Sequence, residues 1–291
     1  MENQANARRR TSLRRGTGGE AVLPSRRLTG ILACGKGAWV GRIYAIAQQK
    51  GGVGKTTTVI NLGAALADNG KRVLLVDLDP QGALTAGLGE NPPAISQTIY
   101  DVLRNSDLAI ARIVRQTGMG MDLVPANIDL AAAEIELTSE PGRERILAEK
   151  LSPIAGTYDF VLIDCPPSLG LLTLNALTAA TDVLIPVQTQ YFALRGLDLL
   201  FTTIQKVKAR INPELRIRGI VPTMVDGRTI HTREVLEELR NTYGQQVCKT
   251  VIPQTIKIAD AQVAAQSIHR FAPASPASEA YKELAREVAE V

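Results

Sequence analysis

Residues 50–57, which read K-G-G-V-G-K-T-T, constrain the fold more than any other part of this 291-residue chain. They follow an apolar run typical of a buried strand and precede a stretch with helical periodicity, which is the context of a phosphate-binding loop. Glycines let the backbone curl so that successive N–H groups face an anion, and a helix amino terminus adds positive charge. Lys55 is placed to reach the β- and γ-phosphates, and the Thr56 hydroxyl to bind Mg²⁺. The loop therefore predicts a nucleotide-binding α/β fold.

The remainder of the chain from residue 42 alternates short apolar runs with helical stretches, and hydrophobic residues make up 45% of the sequence, enough for a large core. Nearly continuous apolar runs are typical of strands that are buried on both faces. We therefore predict a three-layer α/β fold, with a mostly parallel twisted sheet flanked by helices. The predicted strands are 43–47, 73–77, 121–124, 160–164, 183–187, 217–222 and 247–251. The predicted helices are 129–138, 143–152, 169–180, 194–210, 232–243 and 277–289.

Charge divides the chain into a basic arm, residues 1–41, and a slightly acidic body, residues 42–291. Residues 1–42 hold nine Lys and Arg against two Glu, whereas residues 43–291 hold 24 against 27 Asp and Glu. We expect a disordered arm; an organelle transit peptide, or a true start near Val40, are alternatives. The apolar run 28–34 is at the short limit for an export signal and is stopped by Lys36, and no run of 18 apolar residues predicts a membrane span.

Three carboxylates follow two of the predicted strands. Asp77 is the last residue of the strand at 73–77, and Asp79 follows it just before Pro80. Asp164 is the last residue of the strand at 160–164. Carboxyl ends of parallel strands meet at one edge of the sheet, where ligands bind in open α/β folds. Capping of the following helix is an alternative role for the first pair. Asp164 fits the position of a carboxylate that holds Mg²⁺ through water.

These segments together resemble one family. Gln49 replaces the usual first glycine of the loop and an additional lysine, Lys50, follows, so the loop resembles the deviant Walker A motif of the ParA/MinD group of ATPases. The segments D-L-D-P-Q-G after residue 76 and D-C-P-P-S after residue 163 are similar to those of chromosomal ParA (Soj-type) proteins. The resemblance extends over residues 42–291. Arg195 departs from it, because the family commonly carries Glu there.

The resemblance implies a set of roles for residues of this chain. Lys50 would cross the interface of an ATP-dependent homodimer to the partner's nucleotide, Asp79 would orient the attacking water, and hydrolysis of ATP would be slow and Mg²⁺-dependent. The implied catalytic residues are Lys50, Lys55 and Asp79. The implied metal-binding residues are Thr56, Asp77 and Asp164. The implied nucleotide-binding residues are Lys50, Gly51, Gly52, Val53, Gly54, Lys55, Thr56, Thr57 and Pro253, the last beside the adenine.

The resemblance also implies nonspecific DNA binding, a ParB-type partner that stimulates hydrolysis, and a cytoplasmic, nucleoid-associated location. Residues 195–233 hold eight Lys and Arg against three acidic residues, and DNA contacts are expected from Arg228 and Lys257. A solvated helix surface would show the same excess of charge. Three alternatives stay open: a MinD-like or protein-cluster positioning ATPase, a non-catalytic nucleotide-gated regulator, and a metabolic amidoligase-like enzyme. The predicted helix at 277–289 has more acids than bases, so we expect no membrane insertion.

Overall fold

A computed structural model describes residues 41–189 and 195–289, with only the backbone given for residues 195 and 196. The expected disorder of the basic arm concerns residues that lie almost entirely outside these ranges. The described residues form one seven-stranded sheet in the order β3-β4-β2-β5-β1-β6-β7. All neighbouring strands are parallel except β3 and β4. The strands are β1 Arg42–Ile46, β2 Val73–Asp77, β3 Arg115–Gln116, β4 Asp122–Val124, β5 Phe160–Asp164, β6 Asp182–Gln188 and β7 Arg216–Thr223.

Helices cover both faces of the sheet, so the predicted three-layer α/β class is confirmed. Alternate residues of β2 show this, because Leu74 and Val76 join one buried cluster with α3–α7 while Leu75 joins a second cluster with α1 and α11. The helices are α1 Lys55–Asp68, α2 Ala83–Gly87, α3 Ile99–Arg104, α4 Leu130–Glu136, α5 Ile146–Ala155, α6 Leu171–Ala179, α7 Arg195–Arg210, α8 Ile230–Tyr243, α9 Ile256–Val263, α10 Ile268–Phe271 and α11 Pro276–Ala289. Helices α2, α3, α9 and α10 and strand β3 are too short for their periodicity to predict them.

The predicted strand at 247–251 is wrong. Val247 makes one isolated bridge to Ile220, and no strand forms there. The amides of Lys249 and Thr250 instead donate to the carboxylate of Glu287 in α11, at 2.7 and 3.0 Å. These N–H groups are therefore not available to a ladder beside β7, although the sequence around them is as apolar as a strand.

The final helix, α11, is fixed to the start of the sheet. Its residues Tyr281, Leu284 and Val288 are almost fully buried. The carbonyl oxygen of Val288 accepts hydrogen bonds from Arg42 Nη1 (3.0 Å), Tyr44 Oη (2.7 Å) and Arg218 Nε (3.1 Å). Cationic side chains also compensate the negative end of the helix dipole. The apolar face of α11 is thus part of the core.

Candidate functional site

The phosphate-binding loop lies between the end of β1 and the start of α1. Gly52 and Gly54 adopt left-handed backbone conformations, with φ of 73° and 89°, which a residue with a side chain adopts only at a cost. A Cβ atom added at Gly51 or Gly52 would meet nothing within 4 Å. The loop thus has open space beside Gly51 and Gly52, and it leads into the amino terminus of α1, where the first amides of a helix lack intrahelical partners, as an anion site requires.

The two lysines of the loop lie in different environments. Lys55, the first residue of α1, is only 7% exposed, and burial lowers its pKa while Asp164 raises it. Its Nζ lies 3.5 Å from the carbonyl oxygen of Lys50. Lys50 is exposed, and its Nζ donates to Gln188 Oε1 at 3.3 Å. One ammonium group therefore belongs to the interior of the site and the other to its surface.

Two residues that the sequence did not single out hold the loop from the neighbouring strand ends. Gln188 ends β6 and Thr223 ends β7, and they are register partners in the sheet. Gln188 contacts Lys50, and Thr223 Oγ1 donates to the carbonyl oxygen of Val53 at 2.8 Å. The sequence signal that could have identified Gln188 and Thr223 is their position at the carboxyl ends of predicted parallel strands, where ligands bind in such folds.

Asp164 and Thr56 form the candidate metal site. The Thr56 hydroxyl donates to Asp164 Oδ2 at 2.6 Å. Asp164 is fully buried, and its second oxygen, Oδ1, has no hydrogen-bond partner among the described residues. Burial, and then the neighbouring Asp77, raise the pKa of Asp164 well above its usual range. A buried carboxylate oxygen without a partner, beside a second carboxylate and a hydroxyl, fits the oxygen donors that Mg²⁺ prefers.

Asp77 lies opposite Asp164 in the β2–β5 register but makes different contacts. Its Oδ2 accepts from the backbone N–H (2.8 Å) and the hydroxyl (2.7 Å) of Thr85, and its Oδ1 accepts from the Asp79 amide (3.2 Å). Burial raises the pKa of Asp77 to about 6. These contacts order the loop that carries Asp79, whose own carboxylate is half-buried and accepts from the Gln81 amide. The metal-binding role of Asp77 stays a prediction.

A cavity of about 340 Å³ adjoins the phosphate loop. It is mostly apolar, and the predicted adenine neighbour Pro253 lies in its wall together with Gly54 and Thr57 of the loop region. Gln262 of α9 also lines it and donates from Nε2 to Thr57 Oγ1 at 2.9 Å. Its other lining residues are Thr223, Met224, Ile252, Gln254, Thr255, Ile256, Ile258, Ala259 and Tyr281. The place and size of the cavity suit a nucleotide base.

The predicted DNA contacts lie on, or just after, two loops that the structure joins. Arg228 is 89% exposed and forms an ion pair with Asp226 at 2.8 Å, and Lys257 at the start of α9 is exposed. An isolated parallel bridge pairs Val225 with Pro253, so these loops are neighbours. Other basic residues of 195–233 are placed differently. Arg216 pairs with Asp182, Arg218 bonds to the end of α11, and the side chain of Arg195 lies outside the described part.

The remaining candidate reactive groups have structural contacts. His269 is buried, with Nδ1 near Ser278 Oγ (3.1 Å) and Nε2 near the carbonyl oxygen of Asn61 (2.9 Å). Cys165 and Cys248 are buried, and burial raises the pKa of both thiols, that of Cys248 to about 12. Within residues 41–189 and 195–289, no cluster of three His, Cys, Asp or Glu residues could hold a metal, and no helix is long and apolar enough to span a membrane.

The sheet order, the glycine loop before α1 and the carboxylates at the strand ends define a P-loop nucleoside triphosphatase with a deviant Walker A loop. Residues 41–217 match the model of a family described as AAA domain. The chain is 47% identical to the sporulation initiation inhibitor protein Soj of Bacillus subtilis, over 86% of this chain and 99% of that protein. It is 46% identical to the chromosome partitioning protein ParA of Myxococcus xanthus, over 89% and 93%. The chain belongs to the ParA/Soj family of partition ATPases.

Solved structures agree on the fold and broaden the range of activities named for it. A Mycobacterium smegmatis protein named cobyrinic acid a,c-diamide synthase, solved with bound ATP analog and magnesium, is 44% identical, has a TM-score of 0.76, and is matched over 85% of this chain and 93% of that one. The cell division ATPase MinD of Pyrococcus furiosus is 26% identical with a TM-score of 0.70, over 85% and 98%.

Proposed function

We propose that this chain is an ATP-dependent, dimerising DNA-partition ATPase that binds DNA nonspecifically and is stimulated by a ParB-type partner. The observation that carries the proposal is the pair of lysines in one phosphate loop. Lys55 is buried in the site, as a group that binds the phosphates of its own nucleotide must be. Lys50 is exposed at the surface, where a second subunit could present its nucleotide. This exposed position supports a role for Lys50 across a dimer interface.

The residues divide the work as follows. The amides of residues 51–57 and Lys55 bind the phosphates, and Thr56 and Asp164 would hold Mg²⁺. The ion, when bound, neutralises charge on the β- and γ-phosphate oxygens. The carboxylate of Asp77 accepts a hydrogen bond from the Asp79 amide and so orders the loop that carries Asp79. Asp79 would orient the attacking water. Lys50 of the partner subunit would add positive charge where negative charge develops during transfer.

The DNA-binding part of the proposal depends on local charge. The body has a small net negative charge, so binding to phosphates must come from a patch such as that formed by Arg228 and Lys257. Contacts of this kind carry no sequence preference and weaken as salt rises. A dimer doubles the number of such contacts, which explains how ATP could switch DNA affinity. A cytoplasmic, nucleoid-associated location and slow hydrolysis belong to the same proposal.

A MinD-like or protein-positioning ATPase is the second candidate, favoured by the similarity of the fold to MinD. The packing of α11 argues against binding of this helix to a membrane. Its apolar residues are buried, and its last carbonyl groups bond to Arg42, Tyr44 and Arg218. Release of the helix would expose this apolar surface and break these hydrogen bonds.

The name of the Mycobacterium smegmatis protein suggests amide synthesis as a third reading. A synthase that releases ammonia from glutamine with a cysteine needs an accessible thiolate. Cys165 and Cys248 are buried with raised pKa values. The described residues therefore offer no support for a glutamine-dependent amide synthase.

The proposal is tested by DNA co-sedimentation with Mg·ATP, Mg·ADP and no nucleotide, at two salt concentrations and with unrelated DNA sequences. Lys55→Ala removes the phosphate contact and should abolish the effect of ATP. Arg228→Glu should weaken DNA binding and leave nucleotide affinity unchanged. Arg216→Glu is the matched control, because Arg216 is a similarly exposed arginine that pairs with Asp182 at the opposite end of the sheet.

ATP-dependent, salt-sensitive binding that Arg228→Glu weakens would support the proposal. Binding that is independent of nucleotide would assign DNA affinity to the basic arm. Dimerisation with ATP but without DNA binding would reject the partition function and favour the protein-positioning alternative.

A further inference from the structure

We propose that Thr223 is a positioning residue that couples the phosphate loop to the loop 224–229, which carries Arg228. The coupling of nucleotide to this loop stands on the contacts of the described residues. Its consequence for DNA affinity rests on the proposed function above. The three parts of the connection are a buried hydrogen bond, a backbone bridge to the wall of the base cavity, and a compact turn that ends at Arg228.

The hydrogen bond joins Thr223 to the phosphate loop. Thr223 is 2% exposed, and its Oγ1 donates to the carbonyl oxygen of Val53 at 2.8 Å. Its Cγ2 lies 4.0 Å from the position that a Cβ atom on Gly54 would occupy. Water cannot replace this bond in a buried setting, so the end of β7 must follow any change in the loop backbone at Val53 and Gly54.

The next two residues connect Thr223 to the base cavity. Met224 lines the cavity and has a φ of 52°, a left-handed conformation that a non-glycine residue keeps only when its surroundings enforce it. Val225 supplies that enforcement, because its amide donates to Ile252 O (3.0 Å) and its carbonyl accepts from the Gln254 amide (3.1 Å). Residues 224 and 225 are therefore held between the phosphate loop and the wall that contains Pro253.

The turn after Val225 links the position of Val225 to the position of Arg228. The carboxylate of Asp226 accepts from the backbone amide of Arg228 (3.1 Å), from its Nε (2.8 Å) and from its Nη2 (2.8 Å). The Thr229 amide donates to the Asp226 carbonyl oxygen at 3.2 Å. Arg228 thus moves with a small closed turn, and a shift of Val225 changes its position instead of being absorbed by a flexible segment.

The test uses the full chain with Thr223→Val, which keeps the shape and removes the hydroxyl, and Thr223→Ser, which restores it. Thr189→Val is the matched control, because Thr189 lies beside Gln188 and its buried hydroxyl has no hydrogen-bond partner in the described part. Hydrogen exchange by mass spectrometry compares peptides that cover residues 224–229 and 50–57, with no nucleotide, Mg·ADP and Mg·ATP. DNA affinity is measured in parallel with Mg·ADP and Mg·ATP.

In the wild type, Thr223→Ser and Thr189→Val, nucleotide should slow exchange in both peptides. In Thr223→Val, nucleotide should slow exchange in the peptide 50–57 but no longer in the peptide 224–229. The ratio of DNA affinity with ATP to DNA affinity with ADP should fall roughly three- to tenfold, as expected for the loss of one hydrogen bond. A purely structural residue would lower the melting temperature without changing that ratio.

If nucleotide does not change hydrogen exchange in residues 224–229 of the wild type, the proposal is overturned even if Thr223→Val fails to fold. The proposal is also overturned if nucleotide slows exchange in residues 224–229 of Thr223→Val as much as in the wild type. If the wild type binds DNA equally with ATP and ADP, the proposed function fails, while the exchange measurement still decides the role of Thr223.

Discussion

Replacing Asp164 with Asn should stabilise the nucleotide-free protein while abolishing its stabilisation by Mg·ATP. Asp164 is fully buried beside Asp77, and one of its oxygens has no hydrogen-bond partner in the described structure. Burial raises its pKa, which means that the folded state disfavours the charged carboxylate. Asn keeps an oxygen that can accept from Thr56 and removes the charge. Single stabilising substitutions commonly add about 0.5–2 kcal/mol, at a cost in function where the site itself is strained.

For a body of this size, about 1 kcal/mol corresponds to about 2–4 °C in Tm, so the nucleotide-free variant should melt about 1–8 °C higher. Mg·ATP at roughly 100 times its Kd should stabilise the wild type by about 2.7 kcal/mol, or about 5–11 °C. In Asp164→Asn that shift should disappear, because the variant lacks the carboxylate that would hold the ion. Thermal melts with EDTA, Mg·ADP and Mg·ATP measure both effects.

Asp182→Asn is the matched control. Asp182 is also buried in a parallel strand, but it begins β6, level with Leu162 in the register, and is paired with Arg216 and the Thr181 hydroxyl. Removing its charge should lower the Tm and leave the Mg·ATP shift intact. An Asp164→Asn protein that melts below the wild type without nucleotide, or that keeps the full Mg·ATP shift, would refute the assigned role of this carboxylate.

Three further predictions concern the loop lysine and the helices around α1. Lys50→Ala should keep Mg·ATP binding and lose ATP-dependent dimerisation, which sedimentation velocity measures, because Lys50 is exposed and acts across the interface in our proposal. Asn61→Ala should cost about 1–3 kcal/mol in urea unfolding, since it leaves the Ile268 amide, now bonded to Asn61 Oδ1 at 2.7 Å, buried and unpaired. Burial lowers the pKa of His269, so the unfolded chain takes up a proton at higher pH than the folded protein. The stability that His269 contributes is therefore complete above about pH 6.5 and is lost as pH falls through its lowered pKa, and His269→Gln should flatten that decline.

Each of these has a clear contrary result. A Lys50→Ala protein that still dimerises with ATP would contradict the role of Lys50 in trans. Asn61→Ala with wild-type stability would mean that water reaches the Ile268 amide. An unchanged pH dependence in His269→Gln would show that other groups control acid stability.

The sequence predicted those parts of the site that a single segment encodes. The glycine loop, Asp164 and the strand ends could be placed because periodicity identifies buried strands and parallel strands align their carboxyl ends. Gln188 and Thr223 could not be assigned to the loop, because their partners lie more than 130 residues away in the chain. The strand expected at 247–251 failed for the same reason, since the acceptor for its amides, Glu287, belongs to a distant helix.

The contact between Arg42 and the carbonyl groups of Val288 and Ala289 has a consequence for how the fold can be rearranged. The first strand of the body begins at Arg42, and the side chain of this residue reaches the end of the last helix. A short linker could therefore join them, and the chain could be reopened at the exposed turn that contains Pro141 and Gly142. Such a circular permutant of the body would keep every strand neighbour, with the phosphate loop in the interior of the new chain.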